Sequence, residues 1–343
     1  KKNSQSCNYD EGPLLMVSRP PPETYEDFVA LFPDTSGNDV NGLGEPKIRR
    51  PSPFFWHPKD RHEFGELQTE VIGIQRRSPA IVEHYSQDAP RGPKTIEKSE
   101  IQIKKSADEW TSVLKTFSLS HEADLIGITP MDPLYVYDGY ELNAPWVIIL
   151  GVSMDHQELD KVPPSLKKPD SAVEVARQYN RAARVCREVA NFILTQGYDA
   201  EPWAGPFASA LSMMPAAIQA GIGTLGKHGS LINEKFGSSF RLSAVTTNIP
   251  LVADQPLDIG AEDFCINCQV CVKACPPGAI FPEKQRVRGV DKWFVDFDKC
   301  IPYFGEALGC AICIAKCPWS TPDRAPKLMQ KMLNRRTGVT RSS

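Results

Sequence analysis

The chain has 343 residues, with 39 Lys and Arg against 42 Asp and Glu, a net charge of -3 and a pI near 6.1. That length can bury a sizeable core without disulfide staples, and the charge balance argues against a protein built to neutralise nucleic-acid phosphates. No apolar run approaches the roughly 18 residues that span a bilayer; the best, Ala144 to Met154, has the size of a strand.

Residues 1–105 are rich in proline and charge, with breakers at Pro20, Pro21, Pro22, Pro51, Pro53 and Pro58. Proline removes a backbone donor and clashes with the preceding turn, so this part is expected to lack long helices and to run as an extended arm. Phe54, Phe55 and Trp56 are costly to leave in water, so the arm is expected to drape over a core. From Ser106 the pattern changes to a helix reaching about Ser118, then a strand near Leu125–Ile128 and a buried strand at Trp146–Val152. Asp170 or Ser171 can cap a helix that runs to Gln196 and stops at Gly197. Its apolar face carries Val175, Tyr179, Ala182, Cys186, Val189 and Ile193 at helical spacing. A second apolar helix is expected over Leu211–Ala220, followed by a glycine-rich turn and a strand near Phe240–Thr247. The expected organisation is an α/β core over 106–257, a cysteine module over 258–322 and a short tail over 323–343.

Eight of the ten cysteines lie between Cys265 and Cys317, which is metal-ligand spacing rather than a disulfide framework. Cys265, Cys268, Cys271 and Cys275 precede Pro276, and Cys300, Cys310, Cys313 and Cys317 precede Pro318. Both runs resemble the bacterial ferredoxin pattern, in which the fourth thiolate of a run reaches the other cluster. Ferredoxin connectivity, carried over, gives one four-iron cluster Cys265, Cys268, Cys271 and Cys317, and the other Cys275, Cys300, Cys310 and Cys313. Paired Cys-x-x-Cys motifs also hold zinc, but two Cys-Pro endings favour clusters. Gly221-Ile222-Gly223-Thr224-Leu225-Gly226 matches the dinucleotide fingerprint by letter, yet it follows a helix rather than a strand. A tight turn beside packed backbone, or a loop touching another cofactor, suits it better.

Beyond the cysteines the sequence resembles the cobalamin-dependent reductive dehalogenases, a family related to epoxyqueuosine reductase. The resemblance runs through Ala123-Asp124-Leu125-Ile126-Gly127, Asn191-Phe192-Ile193 with Gly197-Tyr198, Ala220 to Gly223, Phe236-Gly237 to Arg241-Leu242, and Trp293 to Trp319. It implies a corrin-binding α/β core related to flavin reductases and nitroreductases, beside a ferredoxin-like double 4Fe-4S module. It also implies cobalamin without a protein histidine on cobalt.

The implied chemistry replaces a halogen of a small organohalide by hydrogen. By the same resemblance Tyr179 is the proton donor and Arg241 its basic partner. A guanidinium beside a phenol stabilises the phenolate left after proton transfer, whereas a tyrosine on an apolar helix stripe more often serves packing. Gly221, Gly223 and Gly226 are candidates for cofactor contact, and Tyr135 and Phe304 for the substrate pocket. The expected electron source is a low-potential ferredoxin, flavodoxin or membrane-anchor partner, with no nucleic acid as ligand. A catabolic enzyme of this kind is cytoplasmic; a respiratory one is exported behind a removed twin-arginine signal and docks at the membrane. The competing expectations are an epoxyqueuosine-reductase-like enzyme acting on tRNA and a non-catalytic iron–sulfur electron carrier.

Overall fold

The computed structural model describes residues 22–85, 92–205 and 210–337; Cys7 and the rest of the first 21 residues lie outside them, as does the end of the tail from 338. In chain order the strands are β1 (Leu125–Pro130), β2 (Trp146–Ser153), β3 (Ala200–Ala204), β4 (Thr224–Leu225), β5 (Leu231–Ile232), β6 (Phe240–Thr247), β7 (Gln285–Val287) and β8 (Val290–Lys292). The main sheet has the order β1-β2-β6-β3 and every pairing in it is antiparallel. Side chains alternate across a strand, so β2 sends Ile148, Leu150 and Val152 to one face and Val147 and Ile149 to the other.

The first face is covered by two long helices. Ala107–Ser120 begins with a capping box, in which the Ser106 hydroxyl accepts from the Glu109 N–H and the Glu109 carboxylate accepts from the Ser106 N–H. Asp170–Thr195 buries Ala182, Val185, Cys186, Val189, Ala190 and Ile193 against the sheet. It ends where Gly197 takes a φ of 82° and comes so close to the Ile101 and Gln102 backbone that a Cβ would lie 2.5 Å from the Ile101 carbonyl oxygen. The second face packs on the short helix Met213–Gln219 and on Leu231 of β5. The core is therefore a mixed α/β unit of three layers, with the sheet in the middle.

The arm departs from expectation. It holds a 12-residue helix, Gly65–Arg76, and a shorter one, Pro79–Tyr85. The cause is a proline-free stretch between Pro58 and Pro79 in which Leu67, Val71 and Ile74 recur at helical spacing and are buried. These side chains join Phe28, Phe55 and Phe64 in one core with Ala172 and Ala176 of the long helix and Ile301 and Leu308 of the cysteine module. The module itself consists of the helices Ala261–Asn267, Val270–Ala274, Phe297–Glu306 and Ile312–Ala315 and the β7–β8 hairpin. A last helix, Ala325–Arg336, lays Ala325, Leu328 and Met332 beside Cys265 and Cys317. No described helix is long and apolar enough to cross a membrane.

Core and module meet at Gly237, whose φ is +57° and where a Cβ would lie 2.1 Å from the Trp319 carbonyl oxygen. Gly237→Ala forces both a left-handed alanine and a backbone displacement, and should destabilise by on the order of 1–3 kcal/mol or more. A lowered thermal midpoint of the cofactor-loaded protein checks this.

Candidate functional site

A cavity of about 1020 Å³ lies between the core, the arm and the cysteine module, at the upper end of ligand-site sizes. Its walls bring together Tyr179 and Arg241 from the core, Trp56 from the arm, and Cys275, Cys300, Cys310 and Cys313 from the module. Tyr179 stands in the N-terminal half of the long helix, beyond the turns that pack on the sheet. The apolar stripe on that helix thus serves two surroundings: its C-terminal half is core, and Val175 and Tyr179 face the cavity.

Arg241 lies near the start of β6 and pairs with Val152 across the sheet. Its guanidinium carbon sits 5.2 Å from the Tyr179 ring centroid, within cation–π range. The Arg241 Nε is buried without a protein acceptor, which leaves a charged donor for a ligand in the cavity. Gly205 also touches the tyrosine, since a Cβ there would lie 2.8 Å from the Tyr179 Cε1. The ring thus contacts both a guanidinium and a bare backbone.

Among the described residues nine cysteines are free thiols, and all but Cys186 belong to the module. Cys186 is a core residue whose thiol burial pushes up to about 12. The other eight divide by mutual repulsion. Cys265, Cys268 and Cys271 act on one another, and Cys317 feels all three. Cys300 and Cys275 act on each other and on Cys310 and Cys313. Cys271 and Cys313 interact across the two sets, which places the sets side by side.

Burial pushes the thiol of Cys265 up to about 11 and those of Cys271, Cys300 and Cys313 up to about 12. Four thiolates in such a setting need a compensating positive centre, which the iron of a cluster supplies. Two further buried donors have no protein acceptor, the indole N–H groups of Trp293 and Trp319, and both rings pack with Cys265 and Cys317. An unmet buried donor costs about 1–3 kcal/mol, and cluster sulfur is an acceptor of the kind these groups lack. Among the described residues no three His, Cys, Asp or Glu side chains are gathered for a single metal ion; the thiolates of a four-iron cluster stand farther apart, around a core of several atoms.

Two groups of expected site residues lie elsewhere. Tyr135 closes the short 3-10 turn Pro133–Tyr135 and is buried against the second face of the sheet, with its phenol bonded to Thr129. It does not line the cavity, whereas Tyr137, hydrogen-bonded to Ser212, does. Phe304 lines the cavity as expected. Gly221, Gly223 and Gly226 are absent from the lining; Cβ atoms on the first two would meet the Gln255 and Ile232 carbonyl oxygens, each at 2.6 Å, and one on Gly226 would meet His228 and Ile232 side chains. Their placement is that of a turn beside packed backbone, away from the lining of this cavity. Trp56 and Tyr303 are cavity residues that no sequence pattern marks as belonging to a site. The Phe54-Phe55-Trp56 run points to burial, not to a wall.

Residues 264–321 match the 4Fe-4S dicluster domain, a span that holds all eight module cysteines. The chain is 31% identical over 183 residues to the tetrachloroethene reductive dehalogenase of Sulfurospirillum multivorans, covering 51% of this chain and 35% of that protein. It is 32% identical over 197 residues to the tetrachloroethene reductive dehalogenase of Dehalobacter restrictus, covering 54% and 35%. An epoxyqueuosine reductase of Leadbetterella byssophila is 34% identical over 122 residues, 31% of this chain and 36% of that one. The catabolic reductive dehalogenase NpRdhA, solved in complex with 3-bromo-4-hydroxybenzoic acid, superposes with a TM-score of 0.68 at 20% identity, over 85% of this chain and 45% of that one. The chain thus has the fold of that dehalogenase over most of its length, and it is a relative of the reductive dehalogenases. It spans about a third of the length of the Sulfurospirillum and Dehalobacter relatives.

Proposed function

We propose that the chain is a reductive dehalogenase that uses cobalamin and two 4Fe-4S clusters to replace the halogen of a small organohalide by hydrogen. The observation that carries this is the contact of Arg241 with the Tyr179 ring in the wall of a cavity that Cys275, Cys300, Cys310 and Cys313 also line. A further support is the fold, an antiparallel sheet between helix layers, consistent with a corrin-binding core of the flavin-reductase and nitroreductase kind.

In this reading cobalamin, when bound, supplies low-valent cobalt for the reduction of the carbon–halogen bond, and the clusters pass it electrons from a low-potential donor. The reaction consumes two electrons and one proton and releases halide. Residues of the cavity wall, including Tyr137, Ser212 and Leu211, are suited to hold the cofactor and exclude water. Tyr179 gives its phenolic proton to the carbon that loses the halogen. The Arg241 guanidinium holds the phenolate that remains, and its free Nε is placed for an anionic or halogen-bearing group. Cys275, Cys300, Cys310 and Cys313 would hold the cavity-side cluster, and Cys265, Cys268, Cys271 and Cys317 the one behind it.

Metal analysis of anaerobically reconstituted protein tests the reading. About one cobalt and eight iron atoms per chain are expected, with halide release from an organohalide under a low-potential reductant. Full iron with no retained cobalt sinks it in favour of electron carriage. Arg241→Met should keep both metals and lose roughly tenfold or more in turnover, about 1.4 kcal/mol of barrier. Unchanged turnover at equal loading removes Arg241 from the proton step.

A further inference from the structure

We propose that Lys227 is the counter-cation of the cluster on Cys265, Cys268, Cys271 and Cys317, and that its charge raises that cluster's reduction potential. This rests on the two-cluster reading above. Lys227 belongs to the glycine-rich turn, directly after Gly226, and its residue is only 1% exposed. The ammonium has two neighbours: the Ile266 carbonyl oxygen at 3.4 Å and the face of Trp293, whose centroid is 4.9 Å away. No carboxylate among the described residues forms an ion pair with it. A buried ammonium held only by a carbonyl and a ring is poorly compensated.

The missing negative charge lies next door. Lys227 acts electrostatically on both Cys265 and Cys271, and its own backbone N–H donates to the Cys265 sulfur. Four thiolates around a four-iron core carry net negative charge, which grows by one on reduction. A fixed cation beside them therefore favours the reduced state, as charge and hydrogen bonds near cluster sulfur do in general. Around the other set Asp296 acts on Cys300, and Glu306 lies with Cys310 and Cys275 about Tyr303. The set behind also has a carboxylate, Glu262, acting on Cys265, but Glu262 is ion-paired with Lys284, whereas Lys227 is a buried cation beside Cys265 and Cys271.

The turn then gains a purpose that its letters conceal. Gly223 and Gly226 let this backbone pack on Ile232 and His228, and that packing delivers residue 227 into the module rather than to solvent.

The experiment is a redox titration of the fully loaded protein followed by electron paramagnetic resonance, comparing wild type with Lys227→Met and Lys227→Gln. The signal of the cluster behind is assigned as the one that survives in Cys300→Ala. We expect that signal to be reduced at least tenfold less readily in both variants, a shift of about 59 mV to more negative potential for one electron. The cavity-side cluster should move less, and Lys227→Arg should return most of the shift. An unchanged or more positive potential overturns the proposal, as does an equal shift of both clusters. Variants that no longer assemble this cluster overturn the tuning role in favour of one in assembly. Wild-type protein without eight iron atoms would instead defeat the two-cluster reading, so the two failures are distinguishable.

Discussion

Tyr179→Phe should retain cobalt and iron at wild-type levels and lose turnover by about 10²–10⁴-fold, the range that a positioned general acid supplies. The substitution removes one oxygen and leaves the ring, so the contacts with Arg241 and Gly205 persist and the fold has no reason to change. The loss should fall on kcat, because the proton moves only as the carbon–halogen bond breaks. Measuring halide release at saturating substrate, with cobalt and iron counted on the same sample, decides the matter. A variant that dehalogenates at the wild-type rate takes the proton-donor role away from Tyr179 and returns the residue to packing.

Cys275→Ala has an effect of comparable size through another route. In sequence Cys275 closes the run begun by Cys265, but in space its neighbours are Cys300, Cys310 and Cys313. The variant should fall from about eight to about four iron atoms, stop turning over, and leave the same residual spectrum as Cys300→Ala. Cys268→Ala should leave the complementary spectrum. If Cys275→Ala matches Cys268→Ala instead, the division of thiols drawn from the geometry is wrong.

The core is legible in the sequence because its strands and helices state their period strongly. The strand over Phe240–Thr247 has the boundaries its pattern predicts; the long helix ends one residue before Gln196, and at its start Asp170 is already helical, with Pro169 in the cap position and no side-chain cap. β3 leaves no such mark, because Ala200–Ala204 contains Pro202 and is paired on one side only, so it lacks the alternation of a buried strand. The arm misleads because its prolines are conspicuous, while the helix-forming stretch after Pro58 is short and its partners lie about a hundred residues away or more, at Ala172 and Ile301. In the site, helical spacing puts Tyr179 on an apolar stripe and says nothing of where the stripe leaves the core. Tyr135 and Tyr137 differ by two positions in a loop, and no local pattern tells which of them meets a cavity built by distant segments. Lys227 carries no signal of its own, since a lysine after a glycine-rich run is ordinarily a solvated charge; its burial arises only from long-range packing.

The segment Ser36–Asn38 clamps the helix that carries Cys300. The Ser36 hydroxyl donates to Asp298 at 2.5 Å, the Asn38 amide donates to Asp296 at 2.9 Å, and the Asn38 side-chain oxygen accepts from the Phe297 N–H at 2.8 Å. These partners are separated by about 260 residues of chain. During synthesis the arm emerges first and its clamp partner comes late, so the arm must wait, unpaired, through translation of the whole core. The ligand helix can settle only after that long loop closes, a slow step by its topology. On the proposed two-cluster reading, the cavity-side centre would be loaded with iron only after that closure.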